Sequence, residues 1–476
     1  MLEKFFKLKE NNTTVRTEVL AGLTTFMTMA YIIALNPNII AAPTNGASTN
    51  LWNAVFIATA LSAAIGTLFM AFLANKPFAL APGMGLNAYF ATVVLTIMAS
   101  TSDKTYDEAF KGALAIIVVS GILFTILTLF KVREKIVDAI PVGIRFGITA
   151  GIGLMLINVG MTTNAGIYYD DKGNFITILD FFTNGASVSH NMIGSASYKL
   201  LILYIITFFV GLFTIVVLNH KKIKGSILYG MLVASLVYFA GDAMLGNDPF
   251  LVVKHTTWLP QFTDLVDKTL FKFHFDTLFS MGFLSAIMTI VTFCMVDMFD
   301  TIGTLLGTAT KAGMIDETGK MPDMNKAMLS DSLATCVGAC TGTSTVTTFI
   351  ESASGVEEGG RTGFASVVTG LCFLACLFLA PVAKLIPAPA TSAALVFVGI
   401  LMISSLKNVD YDDFSQSVPV VLMIVFMMVT SGIGNGIGIG LISYSIIKIC
   451  SGKIKEVSIL TIILSLLFVG KFFIIF

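Results

Sequence analysis

Long apolar stretches alternate with short polar ones along almost the whole chain, and most are long enough to cross a bilayer as a helix of about 20 residues. The stretches fall at about 19–42, 52–74, 78–99, 111–130, 142–163, 198–219, 225–245, 279–309, 327–341, 345–357, 362–381, 390–406, 418–434, 436–450 and 456–475. This pattern predicts an all-α integral membrane protein of about 14 transmembrane segments. The last run, 456–475, exceeds that count and is either an extra span or an amphipathic tail.

Two of the runs do not look like plain helices. The third begins with the Pro- and Gly-rich KPFALAPGMG at 76–85, and the tenth begins with the Thr-rich GTSTVTTF at 342–349. Both predict an extended first part followed by a short helix, with Gly83, Gly85 and Gly342 as structural glycines. Backbone of that kind is tolerated at membrane depth only where it is buried in protein or lines a cavity.

The position of these two half-helices in the order of the spans suggests an internal repeat. They are spans 3 and 10, so they occupy matching places in two halves of seven segments each. An odd number of spans per half gives the second half the opposite orientation, which makes the repeats inverted. Discontinuous helices at matching positions of inverted repeats are typical of the central site of a secondary transporter.

Three acids lie in the same part of the chain. Asp297 and Asp300 stand inside an apolar run, and Glu351 follows the Thr-rich segment. An ionised carboxylate at the centre of a bilayer costs about 2.5–3.5 kcal/mol even on a lenient scale, so acids there need a reason. Residues three apart share a helix face, which places Asp297 and Asp300 on one side. We interpret the three as a substrate or proton site rather than as helix ends in the headgroup region.

Composition and charge narrow the class further. Hydrophobic residues make up 55% of the chain and charged residues 12%, and the mean hydropathy is +0.87. The formal net charge is zero, which argues against a nucleic-acid partner. The six cysteines have no histidine beside them, so we expect neither a metal site nor a cofactor. Basic residues recur on alternate loops, which predicts a cytoplasmic N-terminus in a multi-pass protein of the cell membrane.

Three motifs resemble a known family. GMGLNAYF at 83–90, VDMFDTIGTL at 296–305 and GTSTVTTFIESASGVEEGGRTG at 342–363 are similar to the AzgA-like purine permeases of the nucleobase–ascorbate (nucleobase–cation symporter) transporters. The resemblance covers nearly the whole chain. It implies a transporter rather than an enzyme, with 14 spans in a 7+7 inverted repeat and elevator-type alternating access. A core domain would comprise 1–135 and 279–385, and a gate domain 136–250 and 386–476.

The resemblance also implies roles for individual residues. Carried over by motif, the substrate-binding residues are Asn87, Asp297, Asp300 and Glu351, and we add Thr348 and Phe349 from the same segment as Glu351. The expected substrates are hypoxanthine, guanine and adenine, taken up together with a proton. Asp297 and Glu351 are the expected proton carriers, because a desolvated carboxyl group beside another holds its proton more tightly. A homodimer in the lipid membrane is a further expectation.

Two other classes of protein stay open at this point. An anion transporter of the same fold would need positive charge where the half-helices converge. This sequence places acids there, which disfavours an anionic substrate. A membrane-embedded transferase would use clustered aspartates to hold Mg²⁺, usually beside basic phosphate-binding residues. Uptake of labelled bases separates all three.

Overall fold

A computed structural model describes residues 2–41, 49–100, 105–130, 140–161, 198–247, 257–311, 313–315, 321–430 and 432–474. Among these residues, ten helices are long and apolar enough to cross a membrane, and three shorter apolar helices accompany them. The first half of the chain contains α1 (Leu2–Phe6), α2 (Val15–Met29), α3 (Ile32–Ala41), α4 (Thr49–Phe69), α5 (Met84–Ala99), α6 (Tyr106–Leu129), α7 (Val142–Val159), α8 (Tyr198–His220) and α9 (Ser226–Met244). The predicted helical membrane fold is therefore confirmed.

The second half repeats this order after two short helices on the loop between the halves. Its helices are α10 (Phe262–Lys268), α11 (Phe275–Leu278), α12 (Phe283–Lys311), α13 (Met324–Thr341), α14 (Ser352–Glu357), α15 (Gly363–Ala375), α16 (Ala380–Lys384), α17 (Ala388–Ile403), α18 (Phe414–Thr430), α19 (Ile433–Cys450) and α20 (Ile459–Ile474). Helix starts follow local chemistry: the Thr14 side chain accepts a hydrogen bond from the amide of Thr17 at the start of α2. Thr105 and Glu108 form a capping box at the start of α6.

Spans 3 and 10 each begin as an extended strand. Strand β1 (Leu80–Pro82) leads into α5, and strand β2 (Val346–Thr348) leads towards α14. The strands pair antiparallel, with Ala81 opposite Thr347, and all six of their residues are buried. Pairing satisfies backbone groups that have no access to water, which is why an extended segment survives at this depth. Pro82 at the end of β1 has no backbone N–H, so it donates no hydrogen bond to the strand pairing.

The first span is broken in the middle, which the sequence does not predict. Helix α2 ends at Met29 and α3 begins at Ile32, so Ala30 and Tyr31 lie between the two helices. Tyr31 is fully buried. The break places the Tyr31 hydroxyl beside Glu351, three residues after the end of β2.

The final apolar run forms α20, which lies antiparallel along α19. The hydroxyls of Ser445 and Ser465 are 2.9 Å apart, and Lys471 donates to the side-chain oxygen of Asn435 at 3.3 Å. These contacts join the end of α19 to the middle of α20 and the start of α19 to the end of α20. The helix therefore runs beside a membrane span for most of its length, in addition to the fourteen segments.

Helix packing separates two sets of elements. Helices α7, α8, α9, α17, α18 and α19 pack on one another, whereas α2 to α6 and α12 to α15 pack around the two strands. Contacts between the sets include those of α5 with α7 and of α9 with α2. The predicted domain limits at 135 and 250 lie outside the described residues.

Candidate functional site

The strands, the break in the first span and the middle of α12 meet at one place. Glu351 is the N-cap residue of α14. One of its oxygens, Oε1, accepts a hydrogen bond of 2.7 Å from the Tyr31 hydroxyl. Asp300 on α12 lies close enough to Glu351 for the two carboxyl groups to repel each other. The structure thus brings together two of the three acids singled out in the sequence.

Gly83 lies beside the Asp300 carboxyl group. Gly83 is the N-cap of α5, and its amide donates to the carbonyl of Thr345 at 3.1 Å. A Cβ atom added to Gly83 would lie 2.7 Å from Cγ2 of Thr347 and 3.9 Å from Oδ2 of Asp300. Glycine therefore lets the start of α5 approach β2 and the Asp300 carboxyl closely. Within the described part of the chain, no hydrogen bond to the Asp300 carboxyl is present, which leaves both of its oxygens available.

Asp297 lies deeper in the protein than Asp300. It is fully buried, and its Oδ2 accepts a hydrogen bond of 2.8 Å from the Thr335 hydroxyl. Its other oxygen has no hydrogen-bond partner among the described residues. Asp331 and Asp300 lie near enough for their charges to act on it.

Asp331 on α13 supports strand β2 from behind. It accepts hydrogen bonds from the amide and the hydroxyl of Thr348, at 2.8 Å and 2.9 Å, and from the Thr301 hydroxyl at 2.5 Å. This agrees with a structural role for an acid inside a span. In this arrangement the Thr348 hydroxyl is directed to Asp331, so a contact between Thr348 and a substrate stays a prediction.

Asn87 connects the two half-spans by hydrogen bonds. It is fully buried, its amide nitrogen donates to the Pro82 carbonyl at 3.2 Å, and its Oδ1 accepts a hydrogen bond from Ser344. The residue thus joins the start of α5 to the segment before β2. Its predicted contact with a substrate is not tested by these bonds.

The other singled-out residues lie at the edges of the site. Phe349 is buried, and its amide donates to the Ala79 carbonyl at 3.0 Å, which extends the strand pairing. Gly85 faces away, because a Cβ there would lie 2.3 Å from Cγ2 of Ile152 on α7. Gly342 ends α13 with a φ of +111°, a conformation that favours glycine.

The last residues of the motif at 342–363 form the junction between α14 and α15, and a distant acid holds this junction in place. The buried carboxylate of Glu18 on α2 accepts hydrogen bonds from the backbone amides of Arg361, Thr362 and Ala365. The Arg361 guanidinium donates to the Val356 carbonyl at 2.7 Å at the end of α14. These bonds satisfy the free backbone groups at the junction of α14 and α15.

One side of α12 beyond Asp300 faces open space. A Cβ added to Gly303 or Gly307 would meet no atom within 4 Å. Asp300, Gly303 and Gly307 share a helix face by their spacing. The neighbouring Ile350 is 52% exposed. This face of α12 next to Asp300 is therefore not covered by other described residues.

On the other side of the acids, the two sets of helices are in close contact. A Cβ added to Gly434 on α19 would lie 3.1 Å from the Tyr89 hydroxyl on α5 and 3.1 Å from Oγ1 of Thr292 on α12. Thr292 precedes Asp297 by more than one turn, so this contact lies on the far side of the acids from Gly303. A separate surface pocket of about 180 Å³, lined by residues that include Asn53 and Lys384, contains none of the acids.

The architecture is that of a membrane transporter with two inverted repeats of seven segments. The transmembrane domain of the cyanobacterial bicarbonate transporter BicA has the same fold, with a TM-score of 0.63 at 16% identity over 89% of this chain and 97% of that one. A model of xanthine/uracil permeases, described as Permease family, matches residues 16–439. The chain therefore belongs to the xanthine/uracil permease family and is a transporter, not an enzyme.

Two relatives match over nearly their full length. The adenine permease AdeP of Escherichia coli is 38% identical, covering 99% of this chain and 96% of the relative. The guanine/hypoxanthine permease PbuO of Bacillus subtilis is 36% identical, covering 98% of this chain and all of the relative. The family resemblance inferred from the three motifs is thus confirmed.

Proposed function

We propose that this protein imports purine nucleobases, namely hypoxanthine and guanine, with adenine as a further candidate. The observation that carries the proposal is the pairing of Asp300 and Glu351 beside the two half-spans, in a chain whose full-length relatives are purine permeases. The base would lie between the starts of α5 and α14. Its cellular setting would be the cell membrane, with the N-terminus in the cytoplasm.

The chemistry of the acids suits the edge of a purine. Ring N–H and exocyclic amino groups are donors, and carboxylates are acceptors. The Asp300 carboxyl has no hydrogen-bond partner among the described residues, and Tyr31 is the only side chain of that part of the chain that donates to the Glu351 carboxyl, at Oε1. Two carboxyl groups would repel an anion at this position, so a bicarbonate-like substrate fits poorly.

We propose that the ion transported together with the base is a proton. Three carboxyl groups within one buried region cannot all be ionised cheaply, so at least one is protonated when the base is bound. Asp297 suits this role because it is fully buried and has an oxygen without a partner among the described residues. Glu351 would couple that proton to the substrate it contacts.

The packing supports alternating access between two domains. We assign 1–135 and 279–385 to a core that carries the base, and 136–250 and 386–476 to a gate. The open face at Gly303 and the Tyr89–Gly434 contact lie on opposite sides of the acids. With Lys311 at a cytoplasmic helix end, this arrangement corresponds to an inward-facing state, and movement of the core against the gate would reverse it.

The test is uptake of labelled hypoxanthine into liposomes that contain the purified protein. Unlabelled hypoxanthine, guanine and adenine should compete, whereas uracil should not. Glu351→Gln keeps the side-chain volume and an oxygen for Tyr31 but removes the charge. Losing one charged hydrogen bond, about 1.5–3 kcal/mol, lowers uptake by roughly 10- to 150-fold.

The matched control is Glu357→Gln, at the exposed end of the same short helix. It makes the same chemical change away from the site and should leave uptake unchanged. Equal uptake by the wild type and a normally folded Glu351→Gln variant would remove Glu351 from the site. Competition by bicarbonate instead of purines would reject the substrate class.

A further inference from the structure

The Tyr31 hydroxyl is a buried polar group, and side-chain packing alone does not require it. The side chain is fully buried in the break between α2 and α3. A phenylalanine would fill nearly the same space, and an unpartnered buried hydroxyl is costly. The hydroxyl donates to Oε1 of Glu351 at 2.7 Å. Its partner is thus a carboxyl group of the candidate site rather than a backbone carbonyl.

Tyr31 is the only side chain among the described residues that donates a hydrogen bond to the Glu351 carboxyl group, whose other interaction is with its own backbone amide. The residue stands at the junction of β2 and α14, and its side chain makes no N-cap hydrogen bond to the helix. A glutamate has three rotatable side-chain bonds, and an unheld carboxylate would sample several orientations. The carboxyl group held in this way lies within electrostatic range of Asp300.

We propose that Tyr31 is a positioning residue for substrate recognition: its hydroxyl orients the Glu351 carboxylate so that the free oxygen accepts from the base. The proposal rests on the proposed function, since it assumes that Glu351 contacts a purine. Because Tyr31 acts as the donor, Glu351 is kept an acceptor towards the substrate. The break in the first span is what brings the tyrosine to this carboxylate.

The test is Tyr31→Phe, which removes only the hydroxyl. Without the preorganised carboxylate, the KM for hypoxanthine should rise about tenfold, whereas Vmax should stay within about twofold. The Kd of the purified protein for hypoxanthine should rise by the same factor. The melting temperature in detergent should change no more than in the control.

The control is Tyr106→Phe. The Tyr106 hydroxyl donates to the carbonyl of Ile40 at 2.5 Å, so this variant also deletes a tyrosine hydrogen bond inside the protein. Tyr106 lies away from the acids of the candidate site, so the variant should leave both KM and Kd unchanged.

Several results would overturn the proposal. They are an unchanged KM in Tyr31→Phe, a lowered Vmax at constant KM, or equal effects of the two variants. A Tyr31→Phe protein that fails to fold would also overturn it, since the hydroxyl would then be a structural requirement. Absence of purine uptake by the wild type would instead reject the proposed function, so the two failures are distinguishable.

Discussion

Gly85 offers a direct test of how closely the two sets of helices approach each other. A Cβ added at this position would lie 2.3 Å from Cγ2 of Ile152, whereas ordinary contacts begin at 3.4 Å. To accept alanine, Ile152 must therefore change its rotamer, or α5 and α7 must separate by about 1 Å. Overpacking of this kind typically costs about 1–3 kcal/mol.

The expected result of Gly85→Ala is a lower melting temperature together with slower uptake, because α5 and α7 belong to sets that we propose to move against each other. The matched control is Gly303→Ala, where the added methyl group meets no atom within 4 Å. Alanine favours a helix over glycine by about 0.5–1 kcal/mol, so this control should be neutral or slightly stabilising.

The assay combines thermal unfolding in detergent with initial rates of hypoxanthine uptake. A second substitution, Ile152→Ala, removes the methyl group that the new Cβ would strike. The double variant should be more stable than the sum of the two single effects predicts, by about 1 kcal/mol or more. Equal behaviour of Gly85→Ala and Gly303→Ala, or strict additivity with Ile152→Ala, would refute the close packing of α5 on α7.

Two further predictions concern the support of the site and its access. Asp331→Ala should lower the melting temperature more than Asp331→Asn, because the asparagine side-chain oxygen can still accept from the buried Thr348 amide. Each buried donor left without its acceptor costs about 1–3 kcal/mol. Equal losses in the two variants would mean that Asp331 does not hold β2. In a variant whose six native cysteines are replaced, Gly303→Cys should react with an impermeant thiol reagent from the cytoplasmic side and be protected by hypoxanthine. Labelling from the outside alone would contradict an inward-facing state.

The half-spans could be predicted from the sequence because proline, glycine and β-branched residues are poor helix formers in an otherwise apolar run. The break at Ala30 and Tyr31 could not, since neither residue interrupts a helix by its own preferences. The role of Tyr31 depends on Glu351, which is 320 positions away in the chain. Only tertiary packing makes that contact visible.

The sequence shows which acids lie in apolar runs but not which of them have structural roles. Asp297, Asp300 and Asp331 all stand in apolar runs, yet their surroundings differ in the number of hydrogen-bond donors. Three donors surround Asp331, one reaches Asp297, and the described part of the chain supplies none to Asp300. These donors come from other helices and from β2, so their number follows from the fold and not from local spacing.

The final helix was ambiguous for a similar reason. The run at 456–475 is apolar enough for a span, but its length of about 20 residues fits a surface helix equally well. In the structure the helix packs on α19, because Ser465 reaches Ser445 and the ring of Phe468 lies against Gly438. A glycine that admits a phenylalanine ring on a neighbouring helix is not recognisable before the two helices are placed.

The central claim, purine uptake coupled to a proton, is tested most directly by accumulation of labelled hypoxanthine in proteoliposomes under an imposed pH gradient. We predict that uptake rises as the external pH falls from about 8 to about 6, because the acid cluster must take up a proton before the base is carried. A protonophore should abolish accumulation, and Asp297→Asn should either stop transport or leave exchange without accumulation. Accumulation that follows a sodium gradient and ignores pH would contradict the account.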